Sequence, residues 1–321
     1  MENKIGTQET SEQLIRELYI DLRNKVNKWS EITKQTPQAR MGYVGQHLVS
    51  VVTGYSGGRS GARGHDIEFP DGTFGEIKTC YKIDQLGACK SCGGVVSGVE
   101  KICPNCESRE ILRKDDSKWL ISIRNDDEFS KILDPSKYYF VLFDFDDIND
   151  PENEDIVASI WEVDPKVKGF AFCMIDYYLN IRANSISRAP YNMWPYSFKF
   201  QLTRPTLIYR SKIKDNDVKT EVFLQNKLDH VMENLTEYSS SKTFDTNAIR
   251  ACILSMSHEE KIVDNMDKKS LLEKAEKIRA ELKIEDNTLC DILSDSVYLP
   301  LILPKKDLIP GNIRSMYPEL R

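Results

Sequence analysis

Two Cys-x-x-Cys pairs, Cys89-Lys-Ser-Cys92 and Cys103-Pro-Asn-Cys106, are separated by ten residues and constrain this chain more tightly than any other feature. Each pair turns two thiols toward one point. A glycine or small polar residue follows closely, so backbone amides can face both sulfurs. The spacing is that of a zinc ribbon; the intervening length is short for that motif but within the span of a tight hairpin. The other four cysteines, Cys80, Cys173, Cys252 and Cys290, are scattered and read as reduced, buried residues. The polar N-terminal segment lacks a signal-peptide core, which argues against a disulfide framework and for a cytoplasmic chain. Cys89, Cys92, Cys103 and Cys106 are therefore expected to hold a structural Zn²⁺. Four thiolates leave no open coordination position for catalysis.

The segment just before this unit, GARGHDIEFPDGTFGEIKT (61 to 79), reads as a hairpin. Pro70 fixes the first turn position and Gly72 takes the left-handed place of a three-residue loop. Phe69 then pairs with Thr73, Ile67 and Gly75 fall one step off, and counting back along both arms sets Asp66 opposite Glu76. Side chains alternate along a strand, so Asp66, Glu76 and Lys78 share one face while Ile67, Phe69 and Ile77 take the other. Carboxylates opposed at about 5 Å repel by about 3 kcal/mol at an effective dielectric near 20. A divalent cation removes that repulsion, and two carboxylates supply the oxygen ligands that Mg²⁺ takes.

Neighbouring segments add to this picture. A helix capped at Thr36-Pro37 runs to Gly54, with Met41, Val44, Leu48 and Val51 on its packing face. Gly42 and Gly45 inside it suit close approach to a sheet or ligand, and Gln46 and His47 can look toward the acids. The loop SGGRSGARGH (56 to 65) carries Arg59 and Arg63 among four glycines, a composition suited to phosphate oxygens. It lacks the ending of a nucleotide phosphate loop. Arg113 and Lys114, after the second cysteine pair, are further candidates for DNA phosphate contact.

Net charge is −6, so no global positive field favours nucleic acid, and any DNA contact must rest on local patches. FDFDDINDPENED (143 to 155) carries much of the negative charge away from the acids of the hairpin. No apolar run reaches membrane-spanning length. Leu14, Leu18, Leu22, Val26 and Trp29 predict an N-terminal helix. Strands are expected at 117 to 124, 138 to 145, 156 to 164 and in SFKFQL (197 to 202) and PTLIYRSKI (205 to 213). Helices are expected at 126 to 133, near 170 to 182, in the amphipathic run 220 to 235 and around Leu271 to Leu282. EYSSSKTFD (237 to 245) reads as a linker, and VYLPLILP (297 to 304) is too proline-rich for a central strand. The basic side of the helix carrying Lys268, Lys269, Lys274, Lys277 and Arg279 is either a solvated face or a DNA surface. This organisation gives an α/β core over 1–216, interrupted by a zinc insertion at 86–115, and a mainly helical region over 217–321 suited to DNA binding or dimerisation.

Two acids, a lysine two places on and adjoining basic loops fit Mg²⁺-dependent phosphodiester hydrolysis. Asp66 and Glu76 would ligate the metal with the Ile77 carbonyl, Lys78 would orient water or stabilise charge on phosphorus, and Gln46 would complete the water network.

Asp66 with Glu76-Ile77-Lys78 resembles the PD-(D/E)xK nuclease signature, His65 standing where the pattern has proline. QTPQARMGYVGQHLVSVVTG, SGARGHD, EIKTCYKID, the four-cysteine unit and RKDDSKWLISIR together resemble the MamI family of type II restriction endonucleases, over residues 9 to 145. The resemblance implies a restriction-endonuclease-like mixed sheet flanked by helices, and a homodimer cutting double-stranded DNA at a symmetric site with Mg²⁺. It also places the catalytic roles on Asp66, Glu76 and Lys78. Two other readings are a repair or recombination nuclease that recognises DNA structure, and a non-catalytic zinc-ribbon DNA-binding regulator.

Overall fold

The computed structural model describes residues 5–33, 35, 42–58, 65–97, 100–113, 118–146, 155–187, 189–214, 216–258 and 265–321. The chain opens with α1 (Gln8–Ile15), a π-helical stretch (Arg16–Asp21), α2 (Leu22–Thr33) and α3 (Gly42–Thr53). Strands β1 (Ile67–Glu68) and β2 (Phe74–Tyr81) form the hairpin. The cysteine segment supplies β3 (Gly87–Cys89), β4 (Val95–Val96) and β5 (Ile111–Leu112). Then come β6 (Trp119–Ile121), α4 (Asp126–Ser130), β7 (Lys137–Phe145), β8 (Ile156–Val163) and α5 (Lys168–Asp176) with a second π-helical stretch (Tyr177–Arg182). Next are β9 (Tyr191–Met193), α6 (Phe198–Gln201), β10 (Thr206–Lys214) and β11 (Asp217–Val222). The chain closes with α7 (Thr246–Met256), α8 (Lys268–Leu282), α9 (Asp286–Ile302) and α10 (Gly311–Arg314).

These elements form two units that interleave along the sequence. The first comprises Met1–Trp119, Lys137–Glu162 and Thr206–Leu228; the second comprises Leu120–Ser136, Val163–Pro205 and Asp229–Arg321.

The first unit is built on a six-stranded sheet in the order β1-β2-β7-β8-β10-β11. β2 and β7 are parallel, while the β1–β2, β8–β10 and β10–β11 pairs are antiparallel, so the sheet is mixed. Parallel neighbours need a crossover, and here the cysteine segment lies within the chain that joins them. Ile77, Tyr139, Val141, Phe143, Ala158 and Ile160 on one sheet face pack with Ile15, Tyr19, Val44, Leu48 and Val52 of the helices. At the far edge, side chains take the place of a seventh strand: Glu12 accepts from the Thr220 amide (3.0 Å) and Arg16 donates to the Val218 carbonyl (3.4 Å). Two outward backbone groups of β11 are thereby satisfied.

In the second unit α5 is buried on every side from Gly169 to Asp176, the environment of a central helix. A Cβ at Gly169 would lie 1.9 Å from the Leu202 carbonyl oxygen, so only glycine fits there. Lys168 at its start pairs with Asp295 (2.8 Å) and Glu319 (2.6 Å), tying α9 and the C-terminal turn to it.

Several expectations are corrected. The stripe Leu14 to Trp29 is not the packing face of the first helix: Ile15, Tyr19 and Ile20 are buried, while Leu18, Leu22 and Trp29 are exposed. The π-helical stretch adds residues to one turn and rotates the later ones out of phase with the 3.6-residue pattern. Residues 197–202 form α6 instead of a strand, because Ser197 accepts from the Phe200 amide as an N-cap. The run 220–235 holds the end of β11, one 3₁₀ turn (Leu224–Asn226) and irregular backbone bridging Leu228 to Leu207, not an amphipathic α-helix. Residues 237–245 are anchored by buried Tyr238 and Phe244, both packed on Phe198. As expected, 297–304 forms no strand: α9 continues through Pro300 to Ile302. The Thr36-Pro37 cap and Met41 lie outside the described residues.

Candidate active site and four-cysteine centre

The hairpin turn follows from its residues. Asp71 accepts from the Thr73 amide (3.0 Å) and hydroxyl (2.7 Å), and Gly72 adopts φ +81°. The Phe69 amide donates to the Thr73 carbonyl (2.9 Å), and Gly72 donates back to Phe69 (3.0 Å). Ile67 lies directly opposite Gly75, not one step off, and Glu68 opposite Phe74. One residue further along this register Asp66 faces Glu76.

Asp66 is held through both carboxylate oxygens. Oδ2 accepts from the Ile77 amide (2.9 Å) and Oδ1 from the Gln46 side-chain amide (2.8 Å). Burial, joined by the negative charge of Glu76, raises its carboxyl above the ordinary aspartate pKa, against the opposing Ile77 N–H and Lys78 ammonium. Lys78 pairs with Glu76 at 2.9 Å. Two carboxylates and one ammonium thus share a patch, with lone pairs on both acids to spare. Those hard oxygen donors fit Mg²⁺.

Gln46 reaches Asp66 because α3 sits unusually close to β2. A Cβ on Gly45 would lie 2.1 Å from Thr79 Oγ1, and the Gly45 amide donates to the Tyr81 hydroxyl (3.1 Å). His47 is exposed on α3. Ile77 buries its side chain in the core while its N–H holds Asp66. The basic loop starts and ends beside the same strand, since the Glu68 amide donates to the Ser56 carbonyl (3.1 Å). Arg59, Arg63 and Lys114 lie outside the described residues. Arg113 donates to the Glu100 carbonyl (2.9 Å) and lies over the Phe145 ring, 5.4 Å from its centroid, joining the cysteine segment to β7.

Two arrangements had no signal in the pattern of residues. His65 stacks on Phe74 with centroids 3.5 Å apart, directly before Asp66. Asp144, within the acidic run, is buried and paired with Lys82 at 3.4 Å. The register sets Glu68, not His65, opposite Phe74, so the first contact cannot be counted off along the paired strands. The basic side of α8 is partly neutralised by Lys269–Glu273 and Lys277–Glu281 pairs one turn apart, as on a solvated helix.

Cys89, Cys92, Cys103 and Cys106 converge, their sulfurs all within 4.8 Å of one another. Cys89–Cys106 and Cys92–Cys103 are 3.5 and 3.6 Å apart. Tetrahedral zinc with bonds of about 2.3 Å needs sulfurs about 3.8 Å apart, so the cluster has the right size. The two knuckles are near copies. Gly93 donates to the Cys89 carbonyl and Glu107 to the Cys103 carbonyl, each at 2.9 Å. Gly93 and Glu107 both take positive φ, +73° and +58°. The Cys92 amide, aided by that of Ser91, lowers the Cys89 thiol to about 6, while against the Ser108 amide the Cys92 and Cys89 sulfurs push the Cys106 thiol up to about 12; negative charge crowded on these sulfurs is what a bound cation would relieve.

A mixed sheet whose hairpin gathers acids and a lysine, with flanking helices and a cysteine cluster, is a restriction-endonuclease-like fold. The sequence model of the MamI restriction endonuclease family matches residues 28–259, and the chain belongs to that family. The match begins later than the 9 to 145 block that carried the resemblance and runs well past its end. No curated protein and no solved structure matches the chain.

Proposed function

We propose that this chain is a type II restriction endonuclease that hydrolyses phosphodiester bonds of double-stranded DNA at a specific symmetric site, in a Mg²⁺-dependent reaction. The observation that carries the reading is the convergence of Asp66, Glu76 and Lys78 at one hairpin, in a chain of a restriction endonuclease family.

Asp66 and Glu76, with the Ile77 carbonyl, would hold the metal. Mg²⁺, when bound, neutralises charge on the scissile phosphate and activates water. Gln46 fixes the orientation of the Asp66 carboxylate through its hydrogen bond to Oδ1. Lys78, kept beside Glu76, presents an ammonium that orients the attacking water and stabilises the charge growing on phosphorus. Arg59, Arg63 and Lys114 serve the DNA backbone. Arg113, already engaged with Glu100 and Phe145, supports the cysteine segment that carries Lys114. Zn²⁺ on the four cysteines holds that segment in shape, and the chain acts as a homodimer, each copy reading one half-site.

Phage DNA incubated with and without Mg²⁺, followed by sequencing of fragment ends, tests the reading. Discrete fragments with one common end sequence are expected, only with Mg²⁺. Lys78→Ala should lower cleavage by at least about a hundredfold, the scale of a lost charge-stabilising donor, with DNA binding kept; undiminished cutting by that variant would end the assignment.

A further inference from the structure

The N-terminal helical stretch finishes in a segment that is amphipathic yet has an open apolar side. Leu22, Val26, Trp29 and Thr33 fall on one stripe of α2, Leu18 extends it backward, and Ile32 lies at its margin. None of the described side chains of α2 is buried, and Trp29 and Ile32 are 62% and 61% exposed. Leu22, Val26 and Trp29, with Lys25, Thr33 and Gln35, border a groove of about 360 Å³. A helix of this length is marginal in water without packing. An apolar face left open in that situation marks a contact surface.

Charge decides what fits there. Glu17 and Asp21 are exposed at the start of the stripe, and Lys25 and Lys28 are exposed toward its end. A parallel copy of the same helix would set like charges side by side. An antiparallel copy, related by a two-fold axis near Val26, sets Leu22 against Trp29 of the second copy and brings Asp21 of each copy within reach of Lys28 of the other; those two opposite pairs outnumber the one like pair, Lys25 with its counterpart at the axis. Such a pairing is self-complementary, as a two-fold interface must be. From Leu18 to Ile32 the stripe is about 21 Å long at 1.5 Å per residue. DNA phosphates do not match an apolar groove.

We propose that the apolar face of α2 is a docking surface for a second copy of this chain, formed by antiparallel pairing of the two α2 helices. The inference rests on the homodimer part of the functional reading and not on the chemistry at Asp66.

Sedimentation velocity of the full chain at micromolar concentration tests it. The wild type should sediment as a dimer and Trp29→Glu as a monomer with an unchanged far-UV circular dichroism spectrum. Asp21→Lys should weaken the dimer about tenfold, and Asp21→Lys with Lys28→Glu should restore it; this pair of surface charges decides the matter if Trp29→Glu unfolds. A monomeric wild type overturns the proposal, and shielding of its Trp29 from a quencher would mean that another part of the chain covers the face. A dimer indifferent to both variants overturns it as well. A dimer that cuts no DNA leaves the surface standing and removes the catalytic reading alone; a cutting monomer does the reverse.

Discussion

The six-stranded sheet and the cysteine segment that interrupts it are held together by different physics. The sheet buries a continuous layer in which Phe143 is wholly enclosed, its ring 4.8 Å from Tyr81 and 5.3 Å from Tyr19. The cysteine segment has strands of two or three residues, and its buried apolar cluster is Cys89, Val96 and Cys103 with Ile111 against it. A core that small cannot offset the entropy of ordering its chain, a deficit that Zn²⁺ on the four cysteines would fill. A segment whose order would depend on a bound metal is thus set inside a sheet that has an extensive apolar core of its own.

The contrast can be broken in four ways. The largest effect should come from Cys103→Ala. Structural zinc sites of this kind are worth about 10–16 kcal/mol of binding, so the variant should lose bound zinc by elemental analysis and become sensitive to protease within residues 86–115. The main thermal transition should stay close to that of the wild type; a collapse of the whole protein would show the two regions to be one cooperative unit.

Phe143→Ala is the mirror experiment. It should cost about 3–5 kcal/mol through lost burial and the cavity left behind, read as a lowered denaturation midpoint, with full zinc content. Loss of zinc in this variant would again join the two regions.

Asp66→Asn probes the point where the hairpin meets the sheet. Burial, then the charge of Glu76, places the folded-state pKa of Asp66 above its unfolded value. The protonated form is therefore favoured on folding. That contribution is complete below the unfolded carboxyl pKa near 4 and is lost as pH rises through the folded value. Without divalent ions, Asp66→Asn should melt higher than the wild type at pH 7, and the gap should close by about pH 4. Millimolar Mg²⁺ should stabilise the wild type and leave the variant unmoved. A variant that melts lower at pH 7 would show that the carboxylate is structural.

The smallest effect compares the two knuckles with each other. Glu107 occupies the left-handed position that glycine fills at residue 93, at an expected cost of about 1 kcal/mol for a residue with a Cβ. Glu107→Gly should therefore hold zinc slightly better in a chelator competition, by about 0.5 kcal/mol after the entropy of the freer unfolded chain. Weaker retention would mean that the Glu107 side chain supports the site.

What could be read from the residues alone was local. Pro70, Asp71 and Gly72 specify a turn within a few bonds, and the register that opposes Asp66 and Glu76 follows from it. The cysteine pairs are equally short-range. Gly45 pointed to a close helix–sheet approach, but which strand it touches depends on Thr79, thirty-four residues away. The buried face of the first helix was misjudged because one π-helical stretch breaks the period on which such readings depend. Segment 220–235 has helix-like spacing, yet sheet pairing at Val222 and Leu228 overrides it. Arg113 looked like a free cation, and only the folded arrangement puts a carbonyl and a ring in its way.

The substitution of Glu12 and Arg16 for a missing neighbour of β11 bears on how this protein fails. An unguarded strand border is where foreign chains add and fibrils begin. Here two ionised groups occupy that border, and an incoming strand would first have to evict both. Loss of either residue should therefore be felt less in activity than in shelf life, as turbidity in a concentrated stock.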